Sequence, residues 1–294
     1  VMEIPNISKS TKCTKCPCPI QITDSEINEY FYSNKIVCPN CGGKSSLWKV
    51  VCTAIEDNFF FNDVFTFIGA KCSIFTVSLV KDVITTVCFE DYGIPKGARI
   101  LHVNYTPQGD LFPIEMHGNS PYRGMPRDTV SLYPASIFEG KSLENDASVM
   151  VTWIELEQLV ESSFGSLVQA LEEYSQGNYQ AVIVPANTAI EFQLTEYAEN
   201  VVASATSKTG TKEFFDTSSY VPILKTLIPL IANLKGFPKL PQEVQENLLL
   251  LASWRNQIAH TGKTKSEISQ KSIAKCLSAV VLGAKYIALA KSFT

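Results

Sequence analysis

The feature that most limits this chain is a pair of cysteine turns near its start, Cys13-Thr14-Lys15-Cys16 and Cys38-Pro39-Asn40-Cys41. A Cys-x2-Cys turn points two sulfurs at one place and lets backbone N–H groups bond to the thiolates. Two such turns supply the four ligands that zinc takes in a tetrahedron, at metal–sulfur distances of about 2.3 Å. Gly42-Gly43, directly after the second turn, permits a tight reversal with positive φ. A closed site of four cysteines leaves no open coordination position, so its expected role is structural.

Paired knuckles with this spacing resemble a zinc ribbon, with Cys13, Cys16, Cys38 and Cys41 as ligands. Cys18, two residues past Cys16, is either a substitute ligand or a free thiol beside the site. A redox dithiol is the rival reading, but the surrounding βαβ pattern of thioredoxin-like proteins is missing. Nine cysteines, an odd number, argue against a disulfide framework. Cys52, Cys72, Cys88 and Cys276 lie among apolar neighbours and read as small buried hydrophobes.

Around this staple the chain changes character twice, which predicts a multidomain α+β protein with boundaries at 1–50, 51–150 and 151–294. Residues 1–50 are polar, and their large apolar side chains are scattered, so the segment needs its metal to fold. Residues 51–150 hold short β-branched and aromatic runs separated by turn signals such as Asp91-Tyr92-Gly93 and Pro107-Gln108-Gly109-Asp110. That spacing predicts a mainly antiparallel β domain. The expected strands are Phe59 to Phe61, Val64 to Ile68, Cys72 to Val80, Val83 to Cys88, Ile100 to Tyr105, Leu111 to Met116 and Thr129 to Leu132. Residues 151–294 switch to helical periodicity and predict an all-α bundle, with helices near 153–176, 179–204, 219–234, 241–260 and 267–291.

Composition narrows the class. Hydrophobic residues make up 45% of the 294 and charged residues 18%, enough apolar content for a packed core. A net charge of −4 excludes a uniformly basic nucleic-acid coat but not a local basic face. The apolar run from Cys276 to Ala290 is broken by Lys285 and reads as a buried helix, not a membrane span. With no signal-peptide pattern, the expected location is cytoplasmic.

The most informative stretch of the helical part is Leu248 to Gly262, which ends in Arg255-Asn256-Gln257-Ile258-Ala259-His260. Asn256 and His260 are one turn apart and share a helix face. Arg255 is about 140° around the helix from His260, a gap its long side chain can close.

This pattern resembles the HEPN family, helical bundles that carry an Arg-x4–6-His motif on a late helix. The likeness covers about residues 151–294 and includes an earlier acidic helix, Ala186-Asn187-Thr188-Ala189-Ile190-Glu191. The resemblance implies a metal-independent endoribonuclease with Arg255, Asn256 and His260 as its catalytic residues. It also implies RNA as substrate, a homodimer whose two motifs share one cleft, and a defence or toxin role with a partner protein or antitoxin. In such chemistry the ribose 2′-OH attacks the neighbouring phosphorus and the P–O5′ bond breaks, leaving a 2′,3′-cyclic phosphate and a 5′-OH. An imidazole titrating near neutral pH moves the proton. A permanent guanidinium stabilises the charge that develops on the phosphoryl oxygens.

Charge is distributed in keeping with this. Residues 151–200 hold eight acids and no base, whereas residues 201–294 hold twelve bases against five acids. Two plainer explanations stay open. The two halves can pair with each other as packed helices, and Arg255 and His260 can serve as cationic residues at a helix C-terminus. Glu191 is either a partner of the motif or a surface acid. His102 and His117 read as structural, and Trp254 as core. The non-enzymatic alternative is a HEPN-like dimerising scaffold with a zinc-ribbon module that binds nucleic acid or protein.

Overall fold

The computed structural model describes residues 10–13, 15–16, 18–21, 24–56, 69–116, 128–136, 142–155, 162–265 and 267–293. The chain is mixed α and β, with antiparallel sheets, a C-terminal helical region and an N-terminal cysteine cluster. It divides into two compact units: one of residues 1–7 and 65–160, the other of residues 8–64 and 161–294. The boundaries expected at 50 and 150 therefore each fall inside an element. Helix α2 (Leu47–Glu56) crosses the first and strand β10 (Glu144–Ile154) crosses the second.

In the β unit, two three-stranded antiparallel sheets enclose a core. One has the order β5 (Lys71–Val80), β10, β7 (Arg99–Pro107). The other has the order β6 (Thr85–Cys88), β9 (Thr129–Ser136), β8 (Leu111–Glu115). Alternation along the strands sends Val77, Leu79, Val149, Val151, Val87, Leu111, Val130 and Leu132 into one apolar cluster. Phe75 stacks on Tyr92 at its margin, with ring centroids 3.8 Å apart. Asn145 joins the sheets: its Oδ1 accepts the Leu111 N–H at 2.8 Å and its Nδ2 donates to the Leu111 carbonyl at 3.2 Å.

The expected strands from Cys72 onward are present. Those placed at Phe59 to Phe61 and Val64 to Ile68 lie outside the described residues, as does His117. Sequence reading missed β10, the central strand of its sheet. It extended the first long helix back to residue 153, where the chain is still strand to Ile154.

The second unit holds the helices and the cysteine cluster together. Helix α3 (Ser162–Ser175) leads through Gly177 into the 27-residue α4 (Tyr179–Ala205). Helix α5 (Lys208–Thr217) follows; it is polar and was not expected. Next comes α6, a continuous helical run of three parts: Tyr220–Pro222, a π-helical Ile223–Leu227 and Ile228–Lys235. Helices α7 (Gln242–Thr261) and α8 (Gln270–Lys291) complete the bundle.

Helix α8 is the central piece. It is long and apolar enough to cross a membrane, but 78% of its apolar window is buried against the rest of the protein. Gly283 lets α4 approach it closely: a Cβ there would stand 2.9 Å from Ile190 Cδ1.

The cysteine-rich segment packs on this bundle. Helix α2 lies on α8 through Leu47, Val51, Cys52 and Ile55, spaced to line one face. Helix α1 (Asp24–Ser33) brings Tyr30, whose hydroxyl donates to Glu243 at 3.2 Å, and Phe31, whose ring meets Tyr286 edge-on at 5.4 Å. Burial, and then the neighbouring Glu243 carboxylate, hold the Tyr30 phenol protonated well above its usual range. The spacer between the knuckles thus carries a helix that packs on the bundle.

Candidate functional site

Two short hairpins present the four cysteines. Strands β1 (Ser10–Lys12) and β2 (Pro19–Gln21) flank Cys13 and Cys16. Strands β3 (Ile36–Val37) and β4 (Lys44–Ser45) flank Cys38 and Cys41. The second turn closes with the Gly42 N–H on the Cys38 carbonyl at 2.9 Å and the Cys38 N–H on the Gly43 carbonyl at 2.8 Å. Gly42 takes a φ of 66°, the left-handed region that a side chain disfavours.

All four sulfurs lie within 4.8 Å of one another and could hold a metal ion. Cys13 Sγ is 3.5 Å from Cys41 Sγ, and Cys16 Sγ is 3.7 Å from Cys38 Sγ. These separations are far too long for disulfides, which join sulfurs at about 2.05 Å. They match the edge of a tetrahedron of thiolates around zinc, about 3.8 Å for metal–sulfur bonds of about 2.3 Å. The residues present therefore fit a structural zinc ion.

Surrounding donors favour thiolate at Cys13 and Cys16, whereas Cys41, despite the Gly43 N–H, is pushed up to about 12 by its hydrogen bonds to the Cys16 and Cys13 sulfurs. The Lys15 N–H points at Cys13 Sγ at 3.3 Å, and Asn40 Nδ2 at Cys16 Sγ at 3.8 Å. The Cys18 N–H, and then the Cys41 thiol, hold the Cys16 thiol down to about 6. The Lys15 N–H likewise lowers Cys13. Cys18 stands outside the group of four. Its thiol is pushed up, first by its hydrogen bond to Cys16 and then by burial.

Sequence reading saw Gly43 only as a turn residue. A Cβ there would stand 3.1 Å from Cys13 Sγ and 3.2 Å from Cys41 Sγ, so the glycine makes room for the sulfurs. The signal was the second glycine of the Gly-Gly pair, which a φ argument leaves unexplained.

Arg255, Asn256 and His260 sit on the last turns of α7 and are all exposed. Arg255 Nη1 donates to Asn256 Oδ1 at 3.2 Å. Gly262 ends the helix with a φ of 73°, its N–H on the Ile258 carbonyl at 2.8 Å. Thr261 Oγ1 donates to the Lys263 carbonyl at 2.7 Å, and the Lys265 N–H donates to Gln257 Oε1 at 2.8 Å. The loop that follows His260 is thereby folded back onto the turn that carries it.

Trp254, beside Arg255, is buried in the bundle. Glu191 on α4 is half-buried and accepts from Asn187 Nδ2 at 2.7 Å. Asn187 itself is buried, so the Asn187–Glu191 pair is built into the helix packing rather than displayed as a surface acid. Burial, followed by this Glu191 carboxylate, pushes the Tyr220 phenol upward. His102 is half-buried on β7, where burial lowers its affinity for a proton. Cys52 and Cys276 are buried, and Cys72 and Cys88 half-buried.

Compared with protein-family models, with curated proteins and with solved structures, the chain gives no match.

Proposed function

We propose that the chain is a metal-independent endoribonuclease of the HEPN type, stapled by a structural zinc ion in a ribbon-like cysteine cluster. The observation that carries the proposal is the joint exposure of Arg255, Asn256 and His260 on one helix end. An imidazole and a guanidinium there are accessible to a phosphodiester.

In this reading the His260 imidazole takes the proton of a ribose 2′-OH as that oxygen attacks phosphorus. Arg255 pairs with the non-bridging oxygens, and Asn256 holds the guanidinium in place. The P–O5′ bond breaks, and the departing O5′ takes a proton from a second acid. That acid is the His260 of a second copy, so the active form is a homodimer. Apolar side chains in solvent on α4 and α7, among them Val184, Phe192 and Leu250, offer surface for such a contact. The zinc holds the cysteine turns together when bound; Cys13, Cys16, Cys38 and Cys41 would ligate it. A defence or toxin role, an antitoxin or other partner protein and a cytoplasmic site of action follow from the family likeness alone.

The test is cleavage of mixed-sequence RNA, with no divalent metal added beyond any bound zinc, by the full chain and by His260→Ala and Arg255→Ala. The expected result is cyclic-phosphate ends from the parent chain and a rate about 10²–10⁴-fold lower without the imidazole. Equal cleavage by all three chains overturns the assignment.

A second reading is a non-catalytic dimerising scaffold. What favours it is the position of His260 in the last turn of α7, where a cation suits the helix dipole. In that case Arg255→Ala and His260→Ala leave RNA intact, as the parent does, and slightly destabilise the helix.

A further inference from the structure

The loop after His260 forms one wall of a cleft of about 650 Å³ in the helical unit. Lys263, Lys265 and Glu267 line this side, and Asn178, Tyr179 and Gln180 at the start of α4 line the other. The volume lies within the range of about 300–1,000 Å³ typical of small-ligand sites. None of Arg255, Asn256 and His260 lines it, so it is distinct from the cutting motif while lying next to it in sequence.

Both walls are held in place. Gln257 and Thr261 tie the lysine loop to α7, as described above. Opposite, the half-buried Tyr179 packs its ring against the buried Tyr174, with centroids 5.5 Å apart. Asn178 Nδ2 donates to Glu173 Oε2 at 2.9 Å. The cleft thus brings together two cations, a braced aromatic ring, two side-chain amides and one carboxylate.

That combination suits a nucleotide better than an acidic peptide. The lysines match a phosphate as point charges. The ring gives a base something to stack on. Amides carry both donors and acceptors, and a carboxylate accepts from exocyclic amino groups, so together they can read a base edge. An acidic peptide would have no use for the ring or for groups that read a base edge.

We propose that this cleft binds one nucleotide of single-stranded RNA beside the cut, with its phosphate between Lys263 and Lys265 and its base on Tyr179. The inference rests on the ribonuclease reading for its choice of RNA.

The experiment uses the full chain carrying His260→Ala, which keeps RNA intact, and a fluorescein-labelled 12-nucleotide single strand followed by anisotropy at several salt concentrations. Lys263→Ala with Lys265→Ala should weaken binding at least tenfold at low salt. It should also flatten the log–log salt slope by about 0.7, the value for one phosphate contact on a single strand. Tyr179→Ala should weaken binding about tenfold with the slope unchanged, since stacking is not an ionic contact. Tyr179→Phe keeps the ring and should bind like its parent, which separates stacking from misfolding.

Binding unaltered in the lysine and Tyr179→Ala variants overturns the cleft, whether or not the chain carrying His260 cuts RNA. No binding by the His260→Ala chain overturns it as well. Displacement of the RNA by polyglutamate as readily as by unlabelled RNA overturns base recognition. Binding that depends on the cleft, in a protein that never cuts, keeps this inference and removes the nuclease reading instead.

Discussion

Cys13 and Cys41 are 28 positions apart in sequence and 3.5 Å apart at their sulfurs. Arg255 and His260 lie on neighbouring turns of one helix, and both face solvent. The cysteine site is made by the fold: two hairpins, a left-handed Gly42 and the missing side chain of Gly43 bring distant residues to one point. The motif is made by the helix alone, and the bundle only displays it. A site assembled from distant residues depends on the packing of every element that carries one of them. A displayed site takes any second half from outside, in the proposed dimer from another copy of the chain.

The largest expected break in this contrast is Cys38→Ser. Removing the most buried ligand should take metal content from one ion per chain to near none, read by elemental analysis. Structural zinc contributes about 10–16 kcal/mol of binding free energy in small zinc domains. The thermal transition of the helical unit should therefore fall or lose cooperativity, because α1 and α2 pack on α7 and α8.

His260→Ala should behave in the opposite way. The cleavage rate should drop by about 10²–10⁴-fold, while stability stays within about 0.5 kcal/mol of the parent by thermal melting, as is usual for an exposed side chain. A large stability loss would mean that the imidazole is part of the packing.

Gly43→Ala sharpens the account of the metal site. Its methyl would press on two sulfurs, and a 10–100-fold weaker metal affinity by competition with a chromophoric chelator is the expected result. Unchanged affinity would show that the hairpin gives way.

The smallest effect should come from Gly283→Ala in α8. The new Cβ would crowd the far end of Ile190 at a cost of about 1 kcal/mol, against a helix-propensity gain of about 1 kcal/mol. Denaturant unfolding should thus show a change near zero.

The cysteine turns were readable because a spacing of two residues fixes where sulfurs point, whatever the rest of the chain does. The late helices were readable for a similar reason: α7 and α8 repeat their apolar residues at helical spacing and stop at glycine or a cap. Other elements had no such local mark. Helix α5, Lys-Thr-Gly-Thr-Lys-Glu-Phe-Phe-Asp-Thr, is polar and held by Ser207, whose Oγ accepts the Gly210 N–H at its start. Strand β10 runs from polar Glu144 to apolar Ile154, and its central place depends on pairing with both β5 and β7, which no single segment reveals. Most of helix α2 fell in the β-rich segment because the change in character was placed at residue 50, inside that helix. It is a helix because Leu47, Val51 and Ile55 meet α8 on one face. The tying of the cysteine segment to the bundle was hidden for the same reason, since Tyr30 finds Glu243 only in three dimensions.

That last link has a consequence for how the molecule is held. Tyr30 and Phe31 stand on the short helix strung between the two cysteine turns, and their rings are planted among the residues of the long C-terminal helices. Removal of a metal from the four cysteines, or oxidation of the thiols, would free both ends of that helix at once and so work the two rings loose from the interior. A chemical event at four sulfur atoms would in this way be felt as a vacancy deep in the bundle.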